Sequence, residues 1–120
     1  MSTAWYNLIV NLIKGVKLMA NLDKQNRLVI PRHLMLASTT DFSKEVRIYV
    51  KGNIFFLDNP SMKNRRIPNL GSVKVDCKGR FCIFKSARDF LRIDQSSQIY
   101  CYLHEDKVTF KRLLLIPENR

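Results

Sequence analysis

The sequence predicts a mainly β fold with short helices, assembled from two related units into one domain. Apolar residues alternate with polar ones in several short runs, which is typical of strands with one buried face. The same succession of turn, strand and short helix occurs twice, 53 residues apart. Apolar residues make up 46% of the 120-residue chain. That share is enough for a folded core, whereas one unit of about 37 residues is too small to bury a core alone.

The clearest shared feature is a tight turn that opens at an aspartate and closes at an arginine. It covers residues 23–27 in the first unit and residues 76–80 in the second. Gly79 and its counterpart Asn26 are the residue types that most easily adopt a positive φ. We expect each aspartate to accept backbone N–H groups of its own turn, and each arginine to pair with that aspartate or to contact a ligand. The constant spacing, without a gap, indicates an internal duplication.

These patterns divide the chain into five segments: an N-terminal amphipathic helix (1–15), a first unit (16–58), a basic linker (59–72), a second unit (73–112) and a C-terminal tail (113–120). The helix carries an apolar stripe that includes Trp5, Leu8 and Ile9, and we expect it to pack on its own domain or to mediate self-association. The linker contains two prolines, one glycine and three basic residues. We expect it to be a solvated connection or a basic arm that touches phosphates.

Within each unit the elements follow the same order. After the turn and a short strand, Pro31 favours the start of a helix over residues 32–37. A hairpin follows, with its turn at residues 52–53 in the first unit and 105–106 in the second. The inward-facing residues before these turns are Val46, Ile48 and Val50 in the first unit and Ile99, Cys101 and Leu103 in the second. The second helix is predicted from the spacing of Ala87, Phe90 and Leu91.

The chain is strongly basic, with a formal charge of +11 and a pI of about 10.0. Such a charge favours polyanionic partners; nucleic acid is the first candidate and an anionic membrane surface the second. The charge is concentrated between Met62 and Arg92, which indicates one basic face, with a generally basic, solvated surface as the alternative. The basic residues of this stretch are Lys63, Arg65, Arg66, Lys74, Lys78, Arg80, Lys85, Arg88 and Arg92.

Few residues offer catalytic or metal-binding chemistry. Three cysteines, an odd number without paired-ligand spacing, and two histidines do not form a zinc-site pattern. Cys82 and Cys101 fall in apolar strand patterns and are expected to be packed thiols, which fits a reducing cytosol. No nucleophile–base pair is apparent. We therefore expect neither an enzyme nor a cofactor, a metal or a small-molecule substrate.

The succession of strand, Asp-x-x-Gly-Arg turn, strand, short helix and hairpin resembles the AbrB-like superfamily, whose members form a swapped-hairpin, double-psi-type β-barrel. The superfamily includes the regulators AbrB and SpoVT, MazE-type antitoxins and the MraZ family, and two units in one chain are most similar to MraZ. The match covers residues 22–58 and 73–112. The departures from the family pattern are Asn26 in place of glycine, Phe84 in place of proline, and Met35 at the position that matches Arg88.

The resemblance implies binding of double-stranded DNA through the turn arginine and the basic residues at the start of the short helix. These are Arg27 and Arg32 in the first unit and Arg80, Lys85 and Arg88 in the second; the basic composition adds Lys78, Arg65 and Arg66 as candidates. We therefore expect a transcription regulator in a bacterial-type cytoplasm, associated with the nucleoid. We expect it to be at least dimeric and to have no membrane partner.

Two other functions stay open at this point. An antitoxin-like interaction module fits the same superfamily, but MazE-type antitoxins carry an extended, often acidic segment after the barrel, where this sequence has residues 113–120. An RNA-binding protein would need the same positive charge, with Tyr49, Tyr100 and Tyr102 as candidates for base stacking. Competition between single-stranded RNA and duplex DNA separates this function from duplex binding.

Overall fold

A computed structural model describes residues 18–113. The predicted N-terminal helix and tail residues 114–120 lie outside the described residues. The described chain forms β1 (Leu18–Ala20), β2 (Arg27–Val29), α1 (Arg32–Ala37), β3 (Val46–Lys51), β4 (Ile54–Asp58), β5 (Asn69–Val73), β6 (Arg80–Cys82), α2 (Lys85–Leu91), β7 (Gln98–His104) and β8 (Lys107–Leu113). The prediction of a mainly β fold with short helices is confirmed.

The strands form two antiparallel sheets. The larger sheet has six strands in the order β1-β7-β8-β4-β3-β5, and β2 pairs with β6 in a separate two-stranded ribbon. The two hairpins, β3–β4 and β7–β8, lie side by side because β4 pairs with β8. The strand before each aspartate turn pairs with the hairpin of the other half, β1 with β7 and β5 with β3. Each half of the chain therefore supplies an edge strand to the other half.

The spacing of 53 residues also appears in the three-dimensional arrangement. Strands β2 and β6 begin 53 residues apart, and so do helices α1 and α2. Two-residue turns close both hairpins at residues 52–53 and 105–106, as predicted. In the ribbon, Leu28 lies opposite Phe81, which is its own counterpart in the second half. The two halves therefore meet in the register of an approximate two-fold arrangement.

The core lies between the ribbon and the inner face of the six-stranded sheet. Leu28 and Phe81 are fully buried, and Phe81 meets Phe110 of β8 edge to face with ring centroids 5.7 Å apart. Phe110 also stacks on Phe55 of β4 at 5.1 Å. Aromatic pairs of this kind contribute about 0.5–1.5 kcal/mol beyond the burial of their area. These contacts fix the ribbon on the sheet and so position the two turns at its ends.

The linker covers the opposite face of the six-stranded sheet. Phe55 and Leu57 of β4 face the core, so Phe56 between them faces outward, where it shares a cavity with Asn64 of the linker. Asn64 is 4% exposed and donates from Nδ2 to Oδ2 of Asp58 at 2.7 Å. The linker is therefore held on the sheet at this point by packing and hydrogen bonding, which differs from a solvated connection.

The end of the linker forms part of the six-stranded sheet. Strand β5 begins at Asn69, so the predicted boundary at residues 72–73 falls inside a strand that pairs with β3.

The alternation along β3 predicts Tyr49 on the solvent face, but Tyr49 is 3% exposed. Its ring stacks on Phe56 at 5.5 Å, on the face that the linker covers. A sheet face that looks exposed by periodicity is thus buried by a segment without regular structure.

The predictions for the cysteines and for α2 are confirmed only in part. Cys101 is buried as predicted, and burial raises the pKa of its thiol to about 12. The prediction is wrong for Cys82, which is exposed because the alternation in β6 directs Phe81 inward and Cys82 outward. On α2, Ala87 is buried, whereas Phe90 is 63% exposed. The helix therefore presents an aromatic side chain to solvent.

Candidate nucleic-acid interface

The second turn is built around the carboxylate of Asp76. Its Oδ1 accepts the backbone N–H groups of Lys78 and Arg80, both at 2.9 Å, and its Oδ2 accepts the Nε–H of Arg80 at 2.7 Å. Gly79 has a φ of 81°, which lets the chain close over the carboxylate. The backbone bond from Arg80 is the largest cause that lowers the pKa of Asp76. The carboxylate is therefore charged at neutral pH.

The first turn has the same geometry. Oδ1 of Asp23 accepts the backbone N–H groups of Gln25 at 2.8 Å and Arg27 at 2.9 Å, and Oδ2 accepts the Nε–H of Arg27 at 2.8 Å. Asn26 stands in the place of glycine, with a φ of 60°. The backbone bond from Arg27 is the largest cause that lowers the pKa of Asp23. Pairing of the turn arginine with its aspartate, one of its two predicted roles, is present in both halves.

The two turns are tied to each other across the ribbon. The N–H of Ile30 donates to the carbonyl oxygen of Gly79 at 2.8 Å, and the N–H of Ile83 donates to the carbonyl oxygen of Asn26 at 3.0 Å. Each turn is thus bonded to the strand end of the opposite half. A ligand that contacts the ribbon therefore meets both turns on one connected surface.

The outer face of the ribbon brings Arg27 and Arg80 together. Arg27 lies opposite Cys82 and Arg80 opposite Val29, so these four side chains share the face turned away from the core. The arginine side chains are 29% and 35% exposed. A guanidinium has five N–H donors, and the ion pair of each turn uses the Nε–H. Four Nη donors of each arginine lie outside its ion pair.

The starts of the two helices add exposed cations beside the ribbon. Arg32 and Lys85 occupy the first positions of α1 and α2, three residues after the ends of the ribbon strands, and both are exposed. Lys85 pairs with Asp89 at 3.1 Å, but both side chains are in solvent, where such a pair is weak. Lys78 is exposed within the second turn. All three cations belong to segments that adjoin the ribbon strands along the chain.

Arg88 has a structural contact that its sequence position does not reveal. The residue is half-buried, and its Nη1 donates to the carbonyl oxygen of Ile83 at 2.6 Å. This bond ties the last turn of α2 to the chain that enters the helix. Arg88 therefore supports the shape of the interface, and it presents fewer donors to a ligand than an exposed arginine would.

Arg65 and Arg66 lie on a different surface. Both are exposed, but they belong to the linker, whose neighbouring residues Lys63 and Asn64 line a cavity with the outward-facing Phe56. The ribbon covers the inner face of the same sheet, so the sheet separates these two arginines from the turns. The other six candidate residues lie in the ribbon strands, the second turn and the two helices: Arg27, Arg32, Lys78, Arg80, Lys85 and Arg88.

The segments that form the turns, the ribbon and the helices carry a large excess of positive charge. Residues 21–37 and 74–92 contain nine Lys and Arg and three Asp. Each aspartate forms an ion pair with a cation of its own segment. Among residues 18–113, six of these cations have no acidic partner within salt-bridge distance: Lys24, Arg32, Lys74, Lys78, Arg88 and Arg92.

Two residues near the turns, Gln95 and Lys74, are not among the site residues predicted from the sequence. Gln95 donates from Nε2 to Oδ1 of Asn26 at 2.7 Å and to the carbonyl oxygen of Asp23 at 3.3 Å, which braces the first turn. It is distant in sequence, so no local pattern indicates this role. Lys74 lines the depression beside the ribbon arginines. Its position two residues before the second turn is a signal that could have found it.

The described part of the chain shows neither a metal-site cluster nor a helix of membrane-spanning character. No group of three or more His, Cys, Asp or Glu residues within residues 18–113 is arranged to hold a metal ion. No helix in the same range is long and apolar enough to cross a membrane. Comparisons of the chain with protein families, curated proteins and solved structures found no match.

Proposed function

We propose that this protein is a transcription regulator that binds duplex DNA through the ribbon and its two turns. The observation that carries the proposal is the pair of aspartate-anchored arginines, Arg27 and Arg80, on one outer face among unpaired cations. Their aspartates restrict the guanidinium orientation, and the Nη donors outside each pair suit phosphate oxygens or the O6 and N7 atoms of guanine. Neighbouring lysines add affinity through release of counterions.

The proposal includes an AbrB-type swapped-hairpin barrel as the fold. The exchange of edge strands between the halves and the reciprocal bonds between the turns support it. AbrB-like proteins with one unit must dimerise to complete the barrel, whereas this chain carries both units. We propose that the complete barrel assembles at least into a dimer, because two-fold assemblies suit palindromic operators. The compartment proposed is a bacterial-type cytoplasm.

RNA binding is less well supported than duplex binding. Tyr49, one of three candidates for base stacking, is 3% exposed and lies on the sheet face that the linker covers. Tyr102 is half-buried, and burial raises the pKa of its hydroxyl group. Stacking platforms for single strands need accessible aromatic faces. The basic ribbon face, in contrast, offers donors spaced along two adjacent strands.

A salt-dependent binding titration tests this function. The full-length protein is titrated into fluorescent duplexes that carry either the DNA upstream of its own gene or a scrambled sequence of equal length. We expect tighter binding to the upstream DNA, with a preference that persists as salt rises, because base contacts depend less on counterion release than phosphate contacts do. Equal binding to both duplexes at every salt concentration would contradict a sequence-specific regulator, and absence of binding at low salt would contradict a DNA-binding function.

A further inference from the structure

A groove lies between the C-terminal end of α2 and the tip of the β3–β4 hairpin. Its volume is about 260 Å³, and its apolar lining includes Val50, Ile54, Phe90 and Leu91. Arg92, the residue that caps the C-terminal end of α2, and Arg112 of β8 also line the groove. None of the six candidate DNA-binding residues of the ribbon, its turns and the helices lines this groove.

The equivalent position in the other half of the molecule is closed. There the end of α1 is bonded to the tip of the β7–β8 hairpin: the N–H of Thr39 and the hydroxyl of Ser38 donate to the carbonyl oxygen of Asp106 at 3.0 and 3.1 Å. Nζ of Lys107 donates to Oγ1 of Thr39 at 2.8 Å. These bonds join the helix directly to the hairpin.

The residues 53 positions away cannot form the same polar closure. The counterparts of Ser38, Thr39 and Lys107 are Leu91, Arg92 and Ile54, so the two hydroxyls and the ammonium group are absent. Phe90 takes the place of Ala37 and is 63% exposed. A large exposed aromatic beside other apolar side chains is a feature of protein contact surfaces. The asymmetry between two otherwise equivalent positions marks this one as available to a partner.

The charge of the groove indicates the chemistry of that partner. Nε of Arg112 is buried and has no hydrogen-bond partner among residues 18–113, which is costly for a guanidinium N–H. The positive charge of Arg112 contributes to the lowered pKa of Asp94, although the largest cause of that lowering is the hydrogen bond from the Ser96 hydroxyl. No salt bridge joins Asp94 to Arg112 within residues 18–113. Arg92 is exposed at the same end. Because Nε of Arg112 is buried, an acceptor from outside would pair with the Nη groups of Arg112 and with the guanidinium of Arg92, both of which line the groove.

We propose that this groove binds a peptide segment of another protein in which a carboxylate neighbours an apolar side chain. The carboxylate accepts from Arg112 and Arg92, and the apolar side chain packs on Phe90 and Ile54. Bidentate pairing with a carboxylate is the interaction that a guanidinium favours at protein interfaces. A nucleic-acid backbone fits less well, because the groove wall between the arginines is apolar and would desolvate phosphates without donors.

Fluorescence anisotropy with a short synthetic peptide tests the proposal. The probe is a fluorescein-labelled peptide with leucine and phenylalanine flanked by glutamates, and its matched control carries glutamine in place of each glutamate. We expect the full-length protein to bind the acidic peptide and to bind the control about tenfold more weakly or worse. Phe90→Ser and Arg112→Gln should each weaken the acidic peptide about tenfold, while Leu36→Ser, an exposed apolar residue of α1, should leave its affinity unchanged.

Three outcomes would overturn the proposal. The first is equal binding of the acidic peptide and its glutamine control. The second is an unchanged affinity for the acidic peptide in Phe90→Ser and Arg112→Gln variants that keep the wild-type circular dichroism spectrum. The third is binding of the acidic peptide that appears only after residues 114–120 are removed. In the last case the chain's own tail occupies the groove. The test is independent of the proposed function, because the peptide titration contains no DNA.

Discussion

Replacing Phe81 with alanine is expected to lower the free energy of unfolding by about 3–5 kcal/mol, the range for removal of a buried phenylalanine. Phe81 is 1% exposed, lies at the centre of the ribbon opposite Leu28, and contacts Phe110 edge to face. The ribbon is only three residue pairs long, so its attachment to the six-stranded sheet depends on the inward-facing side chains of Leu28 and Phe81. Urea unfolding followed by circular dichroism measures the loss.

Val29→Ala is the matched control for Phe81→Ala. Val29 lies in the same ribbon but on the outer face, where it is 46% exposed. Its truncation should change the free energy of unfolding by about 0.5 kcal/mol or less, as is usual for surface positions. A loss below about 1 kcal/mol in Phe81→Ala would contradict the packing of the ribbon on the sheet.

Gly79→Ala is expected to cost about 2 kcal/mol or more, because two separate effects add at this position. The φ of 81° is unfavourable for any residue with a Cβ atom. An added Cβ would also overlap the carbonyl oxygen of Ile30 and approach Sδ of Met35 to 3.1 Å. Relief of that overlap would stretch the bond from the Ile30 N–H to the Gly79 carbonyl oxygen, which joins the two halves. Chemical denaturation measures the effect.

Gly52→Ala separates these two effects. Gly52 also has a positive φ, 61°, but an added Cβ there meets no atom within 4 Å. The variant should therefore show only the conformational cost of about 1–2 kcal/mol. If Gly79→Ala were no more destabilising than Gly52→Ala, the close approach of the second turn to Ile30 would be contradicted.

The sequence predicts best the features that depend on neighbouring residues. The aspartate turns, the helix over residues 32–37 and the two hairpin turns all depend on contacts within a few residues. Carboxylates that accept nearby N–H groups and residues that tolerate positive φ are therefore enough to locate them. The spacing of 53 residues makes Leu28 and Phe81 counterparts, and the structure shows in addition that these two residues lie opposite each other in the ribbon.

The sequence could not predict features that depend on which segment covers which face. Tyr49 is buried because the linker lies on its sheet face, and no periodicity within β3 carries that information. The bond from Arg88 to the Ile83 carbonyl oxygen and the bracing of Asn26 by Gln95 likewise need the folded chain. The same limit applies to Arg65 and Arg66, because their charge does not indicate on which face of the sheet they lie.

The measurement that most directly tests the role of the ribbon face compares two double variants of equal charge. Lys78→Gln with Lys85→Gln removes two exposed cations beside the ribbon; Lys51→Gln with Lys63→Gln removes two exposed cations that line the cavity on the opposite face of the sheet. The slope of log K against log salt for duplex DNA is measured for both variants and for the wild type. Each phosphate contact contributes about 0.9 to that slope.

We predict that the ribbon variant reduces the magnitude of the slope by about 1.8, whereas the control variant leaves it unchanged. That result would locate the DNA on the ribbon face, because both variants have the same net charge. Equal slopes in the two variants, or a larger change in the control variant, would contradict the assignment of the ribbon and its turns as the DNA-binding surface.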